Sequence, residues 1–161
     1  MKMEFDLRTE CRCSITEEKA KFLGFASMVM FMCRQYSTFR MLTLGFWLSP
    51  AIDHRQIVFF FDRTGLPRGY VTWAYLAPDS EERLLTDPEF LLHPSEWNEG
   101  GRTWIIDFCF PVGGAREAIG RMKEIFRGEG VDRVYWARKR PYATHCGRLK
   151  SRSMKVRGLN Y

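Results

Sequence analysis

The order of elements around Asp107 constrains this chain more than anything else in it. Arg102–Phe110 (RTWIIDFCF) is a compact apolar run of strand-forming residues, and Pro111-Val112-Gly113-Gly114 follows it as a turn. Ala115–Arg127 then sets Ile119, Met122, Ile125 and Phe126 on one helical face, and Gly128-Glu129-Gly130 ends it. Val131–Lys139 (VDRVYWARK) reads as another strand. Strand, turn, helix and strand in this order predict a βαβ unit, which belongs to a sheet covered by helices.

The rest of the chain fits around that unit. Ser14-x-x-Glu17 has capping-box spacing, so a buried helix is expected from Ile15 to about Arg34. Thr38–Leu48 favours a second helix by its length and Leu/Met content, with a strand left open by Thr43 and Phe46-Trp47; it is expected to end at Ser49-Pro50. Gln56–Asp62 (QIVFFFD) and Gly69–Ala77 (GYVTWAYLA), joined by Arg63-Thr64-Gly65-Leu66-Pro67, predict a hairpin. Pro78–Glu82 starts a short helix, and Asp87–Gly101 reads as loop. The 161 residues, 45% of them hydrophobic, suit one α/β domain with a mixed central sheet flanked by helices. That domain is expected over 15–140, between an N-terminal segment 1–14 and a basic C-terminal tail 141–161.

Charge narrows the function classes. The net charge is +6, yet nine basic and no acidic residues lie from Arg133 to Tyr161, which leaves 1–132 at −3. The positive charge therefore acts locally, and a whole-protein nucleic-acid coat is disfavoured. The longest apolar run, Phe22–Cys33, is about 12 residues against the roughly 20 that span a bilayer. Glu17, Glu18, Lys19 and Lys21 precede it, unlike a signal peptide, so neither a span nor a leader is expected. The five cysteines, Cys11, Cys13, Cys33, Cys109 and Cys146, are odd in number and partly in apolar stretches. They suggest free thiols and a cytoplasmic setting. Cys11-x-Cys13 lacks the usual zinc-ligand spacing, so no metal site is expected from it with His145 and Cys146.

Two places can hold chemistry. Asp107 interrupts an apolar strand, and a buried, unpaired acid costs several kcal/mol. It is either a wet or arginine-paired acid, or a functional one. Strict alternation sets Ile105, Asp107 and Cys109 on one face, against Trp104, Ile106, Phe108 and Phe110. Gly113-Gly114 stands directly before a helix N-terminus, where free amides favour a phosphate or pyrophosphate; a plain turn would need the same glycines. His54, His93 and His145 fall in no Ser/His/Asp or Cys/His motif and read as surface residues.

Several blocks also carry a family likeness. They are Leu23-Gly24, Ser49-Pro50-Ala51-Ile52, Arg63–Pro67 and Val71–Leu76. The most specific is Ser95-Glu96-Trp97-Asn98-Glu99-Gly100-Gly101-Arg102-Thr103-Trp104-Ile105-Ile106-Asp107, closed by Pro111-Val112-Gly113-Gly114. Over about Lys21–Arg140 the chain resembles the toxin-activating lysine acyltransferases of RTX toxin systems. The resemblance implies a fold related to the GCN5 acetyltransferases. It also implies transfer of a fatty acyl chain from acyl carrier protein to lysine ε-amino groups of a client protein. The family works with a His and an Asp, and the Asp maps onto Asp107. Where the family pattern reads Ser-Pro-x-His-Arg-x-Trp, this sequence reads Arg34-Gln35-Tyr36-Ser37-Thr38-Phe39, and the flanking spacing puts Tyr36 at the His position and Phe39 at the aromatic one. A tyrosine of pKa near 10 is a poor base at neutral pH. Tyr36 is therefore expected to hydrogen-bond the thioester carbonyl or to protonate the leaving thiol, and Asp107 to help deprotonate the amine.

Further expectations follow from the likeness. Gly113, Gly114, Arg116 and Trp73 would bind the acyl donor. No cofactor stays bound, the phosphopantetheine thioester of acyl carrier protein being a co-substrate. Arg138, Lys139 and Arg140 would dock that acidic carrier. The partners are the carrier and a lysine-bearing client, with a homodimer left open. The alternative is a degenerate homologue that binds carrier or client without turnover. A third reading, Tyr135, Trp136 and Tyr142 stacking on bases or an anionic membrane surface, rests on the charge run alone.

Overall fold

Ser14 opens the first helix by closing the expected capping box. Its Oγ accepts the Glu17 N–H at 3.3 Å, and the Glu17 carboxylate accepts the Ser14 N–H at 3.3 Å, at the head of α1 (Ile15–Met30). The structure is a computed structural model and describes residues 4–10, 14–36, 40–87, 89–138 and 149–156. α1 ends four residues short of Arg34. The Met32 N–H bonds Val29 O at 3.2 Å and the Cys33 N–H bonds Met30 O at 2.9 Å, and Arg34–Tyr36 continues as a 3₁₀ turn. Phe31 and Met32 are exposed, so a longer helix would gain no burial there.

α2 (Met41–Asp53) is a helix and runs past Pro50, where the sequence predicts a stop. A proline inside a helix costs about 3 kcal/mol. Pro50 sits in the last turn, and continuing the helix buries Ala51 and Ile52 completely or nearly so. Tertiary burial outweighs the local signal.

The described sheet has six strands: β1 (Asp6–Arg8), β2 (Ile57–Phe61), β3 (Pro67–Leu76), β4 (Arg102–Cys109), β5 (Arg133–Arg138) and β6 (Lys150–Lys155). They lie in that spatial order, all antiparallel except β4 with β5. That parallel pair is joined by α4 (Ala115–Gly128), as the βαβ reading expects, and α3 (Pro78–Thr86) lies between β3 and β4. α1 and α2 pack on one face through Phe22, Ala26, Val29 and Leu48 against Phe59, Phe61 and Trp104. α4 covers the other with Ala118, Met122 and Phe126 against Phe60, Val71 and Trp73.

Two segments set outside the domain by the sequence reading belong to the sheet. Asp6–Arg8 pairs with Phe59–Phe61, and Lys150–Lys155 pairs with Arg133–Arg138. Both are edge strands that carry charge, and their faces are too solvated to show an apolar alternation.

β4 also corrects the expected faces. Its register with β3 slips between Thr72↔Asp107 and Trp73↔Ile105, which leaves Ile106 as the extra residue of a bulge. Trp104 and Ile106 therefore join Cys109 on the α1/α2 face, whereas Ile105 joins Phe108 and Phe110 on the α4 face. Alternation read from sequence loses its phase at the inserted residue.

The long loop before β4 has an architectural task. A 3₁₀ turn at Pro94–Trp97 buries Glu96 and Trp97. Glu96 accepts from Ser80 Oγ at 3.1 Å and from the His93 N–H at 2.7 Å, and pairs with Arg83. Glu81 accepts from Trp104 Nε1 at 2.8 Å and Arg102 at 2.9 Å. Gly100 passes so close to the Leu76 carbonyl that a Cβ would collide with it. The most distinctive block of the sequence thus fastens α3 and its loop to β3 and β4.

Candidate active site

Three elements deliver neutral donors to one carboxylate. The Tyr36 hydroxyl, on the turn after α1, lies 2.6 and 2.8 Å from the two Asp107 oxygens. Tyr70, from β3, donates its hydroxyl to Oδ2 at 2.7 Å. Trp47, from α2, donates its Nε1–H to Oδ2 at 3.0 Å, and the Phe108 N–H reaches Oδ1 at 2.9 Å. Asp107 is 9% exposed, and among the described residues no cation pairs with it. The acid is neither wet nor paired with an arginine, and hydrogen bonds alone offset its desolvation.

The electrostatics keep the hydroxyls protonated. Burial, and then the Asp107 charge, push the Tyr36 pKa well above the ordinary tyrosine value. The same two causes raise Tyr70 further. Neither tyrosine is a base at neutral pH. Cys109 lies beside them, and burial followed by the nearby Cys33 thiol raises its pKa as well. The Cys33 and Cys109 sulfurs are 3.1 Å apart.

A second feature lies at the carboxyl end of the parallel pair. The β4–β5 ladder runs over Thr103↔Val134, Trp104↔Tyr135 and Ile105↔Trp136, and so covers β4 only up to the bulge. Ligands of open α/β sheets sit beyond the carboxyl ends of such strands. Gly113 and Gly114 turn the chain there at φ of +92° and +89°, which glycine accepts without strain. Gly114 is the N-cap of α4 and supplies no side-chain cap, so the amides of the first turn face outward. Arg116 is exposed beside them.

The structure brings Tyr36 and Asp107 together and sets the other expected residues elsewhere. Trp73 packs edge-on against Phe126, 5.5 Å between ring centres, on the sheet face opposite Asp107. Arg138 ends β5 at the same end of the sheet as the glycine turn; Lys139 and Arg140 lie outside the described residues. So do Cys11, Cys13, His145, Cys146 and Tyr142. His54 accepts from Asn98 Nδ2 at 3.0 Å and holds Pro94 O at 3.1 Å, and His93 bonds Ser95. His54, at the end of α2, thus bonds to the loop before β4, and His93 lies in it. Among the described residues no group of three His, Cys, Asp or Glu could hold a metal ion.

Trp47, Tyr70 and the Cys33–Cys109 contact are absent from the sequence reading. A signal for the first two existed. A buried Tyr or Trp needs a partner for its polar atom, and both sit in otherwise apolar elements.

With this geometry in view, comparison with known proteins is decisive about kinship. The family model for the RTX toxin acyltransferases (HlyC) matches residues 15–145. The chain belongs to this family. Among curated members it is 36% identical to the leukotoxin-activating lysine-acyltransferase LktC of Pasteurella haemolytica-like sp. (strain 5943B), over 47% of this chain and 45% of that one. It is 36% identical to the RTX-II toxin-activating lysine-acyltransferase ApxIIC of Actinobacillus pleuropneumoniae, over 48% and 47%. It is 32% identical to the protein-lysine myristoyltransferase RtxC of Kingella kingae, over 48% and 45%. The chain spans about half the length of the curated relatives it matches. For this acyltransferase family member, the solved structures confirm the expected fold. A GNAT-family acetyltransferase from Listeria monocytogenes superposes with a TM-score of 0.55 at 8% identity, over 94% of this chain and 96% of that one. The loading GNATL domain of CurA from Lyngbya majuscula also gives 0.55, at 10% identity, over 88% and 69%.

Proposed function

We propose that this protein transfers a fatty acyl group from an acyl carrier protein thioester to the ε-amino group of a client lysine. The observation that carries the reading is the buried Asp107 carboxylate, with no cation partner among the described residues, bonded to the half-buried Tyr36. The amine nitrogen attacks the thioester carbon, a C–N bond forms and the C–S bond breaks. Tyr36 spends its own proton on Asp107, so its oxygen lone pairs are left to accept the amine N–H. As the amine gives up a proton to Tyr36, the Tyr36 proton moves to Asp107, and the same route returns a proton to the leaving thiolate. In this scheme Tyr36 is a relay rather than a donor to the thioester carbonyl. Tyr70 and Trp47 hold the carboxylate in place, and alignment of amine and thioester supplies much of the rate.

Other features support a long-chain donor. The Gly113–Gly114 amides suit the pantetheine phosphate. The β4 edge beyond Ile105 offers backbone partners to the pantetheine amides. Phe31 and Met32 precede the Tyr36 turn, Met41 and Leu42 open α2, and Phe46 precedes Trp47; all are exposed and would meet an apolar acyl chain. Arg116, with Arg138, Lys139 and Arg140, supplies positive charge for an acidic carrier, and a carrier-dependent reaction belongs in the cytoplasm.

Binding without turnover is the competing reading, and it rests on Tyr36 standing at the family His position. Purified protein mixed with acyl-loaded carrier and a lysine-bearing RTX toxin fragment decides between them. The proposal expects the fragment to gain one acyl mass at a lysine, and Asp107→Asn to remove that gain. Retained carrier binding with no mass gain would establish the competing reading.

A further inference from the structure

Two thiols next to the site take no part in the acyl transfer described above. Cys33 and Cys109 are 76 residues apart in sequence, yet their sulfurs lie 3.1 Å from each other. Cys33 immediately precedes the Tyr36 turn and accepts the Tyr36 N–H through its carbonyl at 3.1 Å. Cys109 ends β4, two residues beyond Asp107 and on the same face. The sulfur contact thus joins the same two pieces of chain as the Tyr36–Asp107 bond. Cys33 is partly exposed and Cys109 is buried.

We propose that Cys33 and Cys109 form a modification site, an oxidisable dithiol that closes to a disulfide and fastens the Tyr36 turn to β4. The oxidant class is a peroxide. The accessible Cys33 sulfur attacks one peroxide oxygen, the O–O bond breaks, and Cys33 becomes a sulfenic acid with release of one water. The Cys109 sulfur then displaces the hydroxyl, the S–S bond forms, and a second water leaves with the Cys109 proton. Two thiols are oxidised and one peroxide is reduced to two waters. An S–S bond of about 2.05 Å requires the sulfurs to approach by about 1 Å. Burial holds Cys109 in its thiol form, which assigns the first attack to Cys33. A small molecule that reduces disulfides restores both thiols.

The test uses the full chain with Cys11, Cys13 and Cys146 changed to Ser, so that only this pair reports. Hydrogen peroxide should lower the intact mass by about 2 Da, yield one cross-linked peptide holding Cys33 and Cys109, and raise the melting temperature by several degrees. Dithiothreitol should reverse all three changes. Cys33→Ser, and separately Cys109→Ala, should abolish the cross-link and the melting shift. Peroxide-treated protein whose two thiols stay fully alkylatable would overturn the proposal. So would conversion of Cys33 to sulfinic acid with no cross-link. These readouts need neither acyl donor nor client, so they stand or fall apart from the acyl-transfer reading.

Discussion

Three carboxylates are buried to the same degree, Asp107 at 9%, Glu81 at 7% and Glu96 at 9% exposure. Their partners differ in kind. Glu81 pairs with Arg102 and Glu96 with Arg83, each helped by neutral donors. Among the described residues Asp107 has neutral donors only. The two glutamates are neutralised where they sit, as charges that hold a loop should be. Asp107 instead meets the Tyr36 hydroxyl, which lies 2.6 and 2.8 Å from its two oxygens. Equal burial therefore hides different partners, and among the described residues the presence or absence of a cation separates the three acids.

The division can be broken most sharply at Asp107. Asp107→Asn should lower acyl transfer by at least about 100-fold, with circular dichroism showing a folded chain. Glu96→Gln should behave in the reverse manner. It should cost about 2 kcal/mol in denaturant melts and leave the rate per folded molecule unchanged. A loss of transfer in Glu96→Gln as deep as in Asp107→Asn would erase the distinction between the two regions. A smaller effect is expected from Tyr36→His. Asp107 would orient the imidazole, a better base at neutral pH, and single-turnover transfer should rise by about tenfold. No change there would take Tyr36 out of the chemistry.

The last effect appears only in alkali. Tyr36 and Tyr70 have pKa values raised above the 10.0 of an unfolded tyrosine. Folding then retains protons that the unfolded chain releases. This contribution is fully present below about pH 10 and is lost as the pH rises above it, by about 1.4 kcal/mol per pH unit for each tyrosine. Urea melts from pH 8 to pH 11 should show the decline, and Tyr70→Phe should make it shallower. The Arg-paired glutamates predict no such slope, so Glu81→Gln should leave it unaltered.

Much of the fold was legible because its signals are short-range. The α1 capping box needs two residues three apart, the β2–β3 hairpin needs one turn, and the βαβ unit needs a change of period across Gly113–Gly114. Asp107 was legible as an anomaly, an acid where its neighbours are apolar. Its partners were not. Tyr36, Trp47 and Tyr70 come from a turn, a helix and a strand, and no spacing rule connects them. The family likeness pointed to Tyr36, while Trp47 and Tyr70 became visible only with the chain folded.

By itself the sequence determined the element types, the βαβ order, the glycine turn before α4 and the family. Only the tertiary structure decided which face Trp104, Ile105 and Ile106 occupy, that residues on both sides of the expected domain extend the sheet, and that Cys33 meets Cys109. The reason is the range of the forces involved. Caps, turns and periodicity act over a few residues, so they are written in adjacent letters. A bulge, an edge strand or a convergent polar cluster is set by burial and pairing across tens of residues, which local chemistry leaves open.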